Sequence, residues 1–351
     1  MVQGFGPLTL GLAAASLVAS AGGVWASIRL ARRVGLFDVP NERSSHTVPT
    51  PRMGGVPMVA AALLAFGCWA FLAAGDVFPL KGLPSSILFA FTMSVLGFWD
   101  DLSRLSPLTR FLFQFFGAIM FLWVWTGLFP KIPLIGMVLP QSLWILAGAF
   151  WTVWMLNLYN FMDGIDGLAG GEATLASLFF SLVFARYGES GWAVANLFIA
   201  ASSMGFLVHN WPPARVFMGD AGSAFLGAFF GMQSVVASLA TPVPFLVLVL
   251  PFTNFILDTT VTLLRRMVRG EKWYLSHRSH YYQRMTNLGM SHKKVTVIEL
   301  LFTIGSCIAA SAYLWVDGVG RAIPIAVLLS AFLIYGIRIC AKEREEGGRL
   351  P

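Results

Sequence analysis

Long apolar stretches alternate with short polar breaks along the whole chain. Stretches near the ~20 residues that cross a ~30 Å hydrocarbon layer as a helix occur at 8–29, 54–75, 84–100, 108–128, 141–160, 168–186, 191–209, 221–240, 243–264, 295–316 and 320–340. Peptide N–H and C=O groups find no water at that depth, so each stretch is expected to satisfy its own as a helix. The expected fold class is all-α: a polytopic integral membrane protein of about eleven transmembrane helices, with residues 1–351 forming one membrane-embedded domain.

Composition agrees, since 57% of the residues are apolar and 12% charged, where a soluble domain carries about 25% charged residues. The first stretch lacks the basic opening of a secretory signal and precedes a basic loop, so it is expected to be retained. Charge then orients the bundle. Twenty of the 24 Lys and Arg residues fall in alternate breaks, at 29–53, 100–110, 209–220, 265–294 and in the tail from 338; only Lys81, Lys131, Arg186 and Arg321 fall in the others. Positive loops stay inside, which puts the N-terminus on the periplasmic side and the C-terminus in the cytoplasm. The net charge of +7 thus belongs to one face, where anionic headgroups or phosphorylated substrates gather, and nucleic acid is not expected as a partner. Cys68, Cys307 and Cys340 lie in or at the ends of apolar stretches, without the spacing of a disulfide or metal site.

Fourteen of the 17 carboxylates lie on the basic side or at its edge, the exceptions being Asp76, Glu189 and Asp317. Ionisable groups at membrane depth are costly and mark sites, and five segments collect them. The first runs from Asp38 through Arg43 and His46 to Arg52, Gly54 and Gly55; it reads either as a topology signal or as a polar working loop. The second holds Asp100, Asp101, Arg104, Arg110 and Gln114. Adjacent carboxylates repel and call for a cation or a proton, although Asp100 and Arg104 at i, i+4 could form an ordinary ion pair. The third runs from Asn157 and Asn160 to Asp163, Gly164, Asp166 and Gly167: a turn with two hard oxygen ligands suited to Mg²⁺ and phosphate. A calcium loop fits poorly, because its twelfth position is Thr174 between two apolar spans.

The fourth segment holds Asn210, Arg215, Phe217, Asp220 and Ser223; Asp220 could cap the next helix, bind metal, or do both. The fifth holds His277, Arg278 and His280 within a strongly basic loop, able to grip phosphate or carry a proton and short of the four ligands of a structural zinc site. Several carboxylates with His and Arg on one face can bring two phosphorylated anions together around a divalent cation. Phosphoryl transfer, which depends on positioning and charge stabilisation, is the reaction class that follows, with a lipid phosphate as one partner.

Taken in order, Asp100-Asp101, Asn157 and Asn160 with Asp163-Gly-x-Asp166-Gly, Phe217-Met-Gly-Asp220-x-Gly-Ser223 and His277-Arg278-x-His280 resemble the polyprenyl-phosphate N-acetylhexosamine-1-phosphate transferases, glycosyltransferase family 4. These include bacterial enzymes that initiate O-antigen, enterobacterial common antigen and teichoic-acid synthesis, and the translocase that makes lipid I. The resemblance implies a multi-pass enzyme of the bacterial inner membrane with its active site at the cytoplasmic face. A UDP-N-acetylhexosamine would be the donor, undecaprenyl phosphate the acceptor, Mg²⁺ or Mn²⁺ the cofactor and UMP the product. It assigns Asp220 as principal metal ligand, with Asp163 and Asp166 organising metal and diphosphate. Asp100 would activate the lipid phosphate beside Asp101, and Arg110 would hold it. Asn160, His280, His277, Arg278 and Arg52 would serve donor binding or catalysis, with Phe217 and Asn210 near the uracil. A homodimer and a monomer are both open.

Three features favour the O-antigen-initiating branch within that resemblance, one being a shorter interval from Asp100-Asp101 to Arg110 than in the lipid I enzyme. The first loop carries Arg52 where the lipid I enzyme has a lysine-bearing version, and two histidines flank Arg278 where that relative has three.

Overall fold

The computed structural model describes residues 5–40, 48–73, 82–103, 105–126, 132–134, 137–272 and 277–347. Arg43, His46, Lys81, Arg104 and Lys131 lie outside them. Among the described residues eleven helical spans are long and apolar enough to cross a membrane. In chain order they begin with α1 (Pro7–Val34), α2 (Gly55–Leu72), α3 (Leu83–Ser103), α4 (Pro107–Thr126) and α5 (Gln141–Met162). They continue with α6 (Leu168–Arg186), α7 (Ser190–Asn210) and α8 (Asp220–Ala240). A ninth span consists of α9 (Phe245–Val249) and α10 (Thr253–Val268). After the short α11 (Tyr281–Asn287), the bundle ends with α12 (His292–Trp315) and α13 (Ala322–Glu345).

The ninth span is interrupted by a 3₁₀ turn at Leu250–Phe252. Pro251 supplies no N–H to the helical ladder, and the Leu250 carbonyl accepts from both the Thr253 N–H and, at 2.5 Å, the Thr253 hydroxyl. Two hairpins and a 3₁₀ turn at Gly318–Arg321 complete the described elements. β1 (Phe37–Asp38) pairs antiparallel with β2 (Thr50–Pro51), and β3 (Ile132–Leu134) with β4 (Met137–Leu139). The second lies in a break that sequence patterning leaves featureless.

Helix α8 is the axis of the bundle, with 83% of its apolar window buried, against 22% for the last span. Lipid tails are as apolar as leucine, so association rests on close packing and interhelical hydrogen bonds instead of on exclusion of water. Small residues provide the approach. A Cβ on Gly97 of α3 would come within 2.3 Å of the Asp220 carbonyl oxygen, and one on Gly55 of α2 within 2.5 Å of the Gly222 Cα. Trp151 on α5 donates to Ser234 on α8 at 2.8 Å, and Asn196 on α7 to Gln233 on α8 at 2.7 Å. Such bonds contribute ~0.6 kcal/mol each in membranes, so the glycine contacts do more to fix where the head of α8 sits.

Candidate active site

Three chain segments converge where α8 begins. Gly219, at φ +76°, turns the backbone into the helix, and Asp220 follows as its first residue. The Asp101 carboxylate, at the end of α3, accepts from the Asp220 N–H at 3.2 Å and the Ala221 N–H at 3.3 Å. It thereby takes the capping position that the sequence offers to Asp220 itself. Residues 51–55 are stitched to 217–218: Phe217 N–H donates to the Pro51 carbonyl, Gly54 N–H to the Phe217 carbonyl and Gly55 N–H to the Met218 carbonyl. Met53 within this stitch adopts φ +89°, a costly conformation for a side-chain-bearing residue. The pairing carries Arg52 over the α8 terminus, 3.0 Å from Asp101 and 3.5 Å from Asp220.

From the other side Arg110, near the start of α4, lies 2.6 Å from Asp100 and 3.5 Å from Asp220. The Leu105 N–H donates to the second Asp100 oxygen at 2.6 Å, so Asp100 is paired with Arg110 while Asp101 serves α8. Asn160, in the last turn of α5, donates to Asp220 at 3.1 Å and to the Ser223 hydroxyl at 2.9 Å. A cavity of about 20 Å³ between these helices is lined by Asp100, Arg110, Gln114, Asn157, Asn160 and Asp220. Asn157 donates to Gln114 across it at 2.8 Å.

Asp163 ends α5 and feels the same cluster. Removal from water, then the charges of Asp220 and Asp101, push its carboxyl well above the usual carboxylate range, with Arg52 opposing. Burial works against the Arg52 cation, and Asp101, Asp220, Asp38 and Asp163 outweigh it, holding the guanidinium above its ordinary value. Four carboxylates, Asp100, Asp101, Asp163 and Asp220, therefore share two guanidiniums. That deficit of positive charge, with oxygen donors only, fits a hard divalent cation that takes one or two protein carboxylates and completes its shell from phosphates and water. No group of three His, Cys, Asp or Glu side chains placed to enclose a metal occurs among the described residues.

Two of the residues expected here are engaged elsewhere. Asp166 accepts from the Ala214 N–H at 3.0 Å and lies 3.2 Å from His292 Nδ1, while its carbonyl receives the Thr296 hydroxyl at 2.7 Å. It ties the turn after α5 to the 210–220 segment and to α12. Asn210 is buried, accepting from the Gly167 N–H at 2.9 Å and donating to the Val216 carbonyl at 2.8 Å. Its side chain thus holds that segment together from within. Nothing in the sequence marks His292 as the partner of Asp166, which comes from a helix more than a hundred residues away.

The histidine segment reaches the cluster through Tyr282. Its hydroxyl donates to the Phe161 carbonyl at 2.8 Å, and its ring lies so close to Gly164 that a Cβ there would fall 2.0 Å from the phenol oxygen. Burial pushes this phenol well above its ordinary range, keeping it a donor. His280 is buried and lies between Phe161, at 6.1 Å between ring centroids, and Tyr282, at 5.9 Å. His277 stands 4.8 Å from it, ring to ring. Burial, then His280 and Arg266, lower the His277 imidazole to about 3, so it is neutral near pH 7 and not the phosphate-gripping cation that its residue type allows. Arg278 is half-buried, its Nε without a hydrogen-bond partner.

Comparison with known proteins places this constellation in context. Residues 83–238 match the model of the glycosyl transferase family 4, a stretch that runs from α3 through α8 and holds Asp100, Asp101, Asp163 and Asp220. A Bacillus subtilis protein named "probable undecaprenyl-phosphate N-acetylglucosaminyl 1-phosphate transferase" is 30% identical over 312 residues, covering 82% of this chain and 81% of that one. The decaprenyl-phosphate N-acetylglucosaminephosphotransferase of Mycolicibacterium smegmatis is 30% identical over 97% of this chain and 90% of its own. The phospho-N-acetylmuramoyl-pentapeptide-transferase of Enterococcus hirae is 27% identical over 76% and 84%. With coverage of this extent and the carboxylates gathered at the head of α8, the chain belongs to glycosyltransferase family 4.

Proposed function

We propose that the protein transfers an N-acetylated, in some cases deoxy, hexosamine-1-phosphate from a UDP-sugar to undecaprenyl phosphate, releasing UMP. The product is the first lipid-linked intermediate of an O-antigen or related envelope polysaccharide. The observation that carries this reading is the set of four carboxylates facing two guanidiniums around the α8 terminus. Such a site has little use for one neutral ligand and is suited to two phosphorylated anions bridged by a cation. The names of the relatives, each a transferase acting with a lipid phosphate or an amino-sugar substrate, support it. The excess of Lys and Arg in alternate breaks supports a cytoplasmic site, with the N-terminus outside.

On this reading Asp220 and Asp163 would hold Mg²⁺, or Mn²⁺ in its place, and the ion would supply charge neutralisation on the diphosphate. Arg110 exchanges its bond to Asp100 for the phosphate of the lipid, whose head arrives at the membrane boundary. Asp100, released from Arg110 and still anchored by the Leu105 N–H, accepts the phosphate proton. The deprotonated lipid oxygen attacks the sugar-linked phosphorus, and the bond to UMP breaks. Asn160 and Arg52 steady Asp220 and Asp101 throughout, and the histidine segment flanks the donor. Incubation of purified protein with undecaprenyl phosphate, Mg²⁺ and a panel of UDP-amino sugars, followed by UMP release, tests the proposal. Acceptor-dependent UMP is expected with at least one N-acetylhexosamine donor; its absence with every donor overturns the reading.

A further inference from the structure

The ninth span contains one carboxylate, Asp258, in the middle of α10 and only 1% exposed. Nothing in the reaction as derived above uses it. A buried carboxylate within an apolar span is expensive unless its oxygens are satisfied, and here the satisfaction comes from the histidine segment. Asp258 Oδ1 accepts from the Tyr281 N–H at 2.8 Å and lies 3.3 Å from His280 Nδ1; Oδ2 accepts from the Tyr282 N–H at 3.2 Å. The Thr262 hydroxyl, one turn on, donates to Oδ1 at 3.1 Å. One side chain therefore organises three consecutive residues of a segment 22 positions away in sequence.

The character of the His280 contact follows from that list. The Tyr281, Tyr282 and Thr262 groups are all donors to Asp258, so its oxygens act as acceptors. An imidazole nitrogen facing one of them must carry the hydrogen, because a lone pair there would oppose a lone pair. The capping box at the start of α11, in which the His280 side chain faces the Gln283 backbone N–H, would instead ask a ring nitrogen to accept. The carboxylate, as the stronger acceptor in a dry setting, settles the competition in favour of Nδ1–H. The ring cannot easily turn, since Phe161 and Tyr282 flank it. With Nδ1 committed, Nε2 is the nitrogen left for substrate.

We propose that Asp258 is a positioning residue for transfer: by accepting the His280 Nδ1–H and the two following backbone N–H groups, it fixes the tautomer and direction in which His280 presents Nε2 to the bound donor. It touches no substrate and acts through His280, as a carboxylate behind a histidine does in other sites where orientation and tautomer matter. The proposal rests on the transferase reading for what Nε2 meets, and on geometry alone for the tautomer.

The test has two arms that fail separately. Protein labelled with ¹⁵N-histidine, with His280 assigned by difference from His280→Gln, should show a His280 resonance pair of the Nδ1–H type at neutral pH. An Nε2–H pattern overturns the proposal whether or not the protein turns over, and needs no variant at Asp258. In the kinetic arm, Asp258→Asn should lower kcat by about 10- to 100-fold, the scale of losing an orienting partner behind a functional histidine. The same substitution placed in His280→Gln should cost less than about 2-fold more, because the residue through which it acts is already gone. A second full loss in the double variant means that Asp258 acts structurally and overturns the proposal. If the wild-type protein releases no UMP from any donor, the proposed function falls, while the ¹⁵N spectrum still decides the tautomer.

Discussion

At the head of α8, four carboxylates face Arg52 and Arg110, whose side chains are 36% and 35% exposed. At residues 277–282, two imidazoles and Asp258 lie in a shell of aromatic rings, with His277 neutral and both His280 and Asp258 buried. The two regions meet at Tyr282, yet one is rich in unbalanced charge open to the aqueous side and the other is nearly dry and held by directed hydrogen bonds. The first is fitted to gather charged ligands; the second is fitted to hold a group in one orientation. Substitutions should separate them: changes of charge should dominate at the α8 terminus, and changes of hydrogen-bond geometry in the histidine segment.

The largest effect is expected from Asp220→Asn. The amide keeps the size of the side chain and an acceptor for Asn160, and removes the charge shared with Arg52, Arg110 and the proposed cation. Loss of several kcal/mol of charge stabilisation corresponds to ~10³-fold or more in kcat, with the folded state retained as judged by its melting profile in detergent. Near-normal turnover at limiting Mg²⁺ would remove Asp220 from the metal site. Next comes Asp100→Asn, for which a lost general base predicts a fall of ~10²–10⁴ in kcat with little change in UDP-sugar binding. The defect should shrink as pH rises past ~6, the second ionisation of a phosphate monoester, because the acceptor then needs no base. A deficit constant from acid to alkaline pH contradicts that role.

Smaller still should be the effect of Asp101, despite its place beside Asp100. Because it caps α8 through the Asp220 and Ala221 N–H groups, Asp101→Ala should cost ~1 kcal/mol of stability as a lost cap, and let Asp220 drift from Asn160. Asp101→Asn keeps an acceptor and should restore most of the stability while still weakening the Arg52 contact. Equal melting temperatures for the two variants would show that capping is not what Asp101 contributes.

These contrasts also show what a linear sequence can carry. The eleven spans are legible because hydropathy is a local property, read within ~20 residues. Asp100, Asp163 and Asp220 are legible as site candidates because charge at the end of an apolar stretch is conspicuous. The division of labour between Asp100 and Asp101 is not, since it depends on which helix terminus and which arginine each one meets. Asp100 pairs with Arg110, ten positions on, and Arg104 lies outside the described residues. Asp166 reads as a ligand by residue type and Asn210 as a neighbour of the uracil by resemblance, and the fold supplies backbone amides that occupy both. Asp258 carries a usable signal, a carboxylate inside an apolar span, but the sequence does not say what it meets. Its partner lies 22 residues away, beyond any helical periodicity.

The smallest effect sharpens the contrast from the dry side. His277 in the folded protein titrates at about 3, against ~6.5 for an unperturbed histidine, because burial, His280 and Arg266 all disfavour its cation. A depressed folded value means that the unfolded segment binds a proton which the folded one refuses. Stability from keeping His277 neutral is therefore complete above ~6.5 and declines progressively as pH falls toward 3, where the folded group at last protonates. Over that window residues 277–287 should lose amide-exchange protection in wild-type protein more steeply than in His277→Gln, whose side chain fits the polar contact to Ser279 and has no proton to gain. The α8 terminus offers a control within the same molecule, since the substitution does not touch it and the protons that its raised Asp163 carboxyl gains are gained alike in both proteins. Identical pH profiles for wild type and His277→Gln would mean that His277 is not held neutral by its surroundings, and that the histidine segment is as wet and as charged as the cluster beside it.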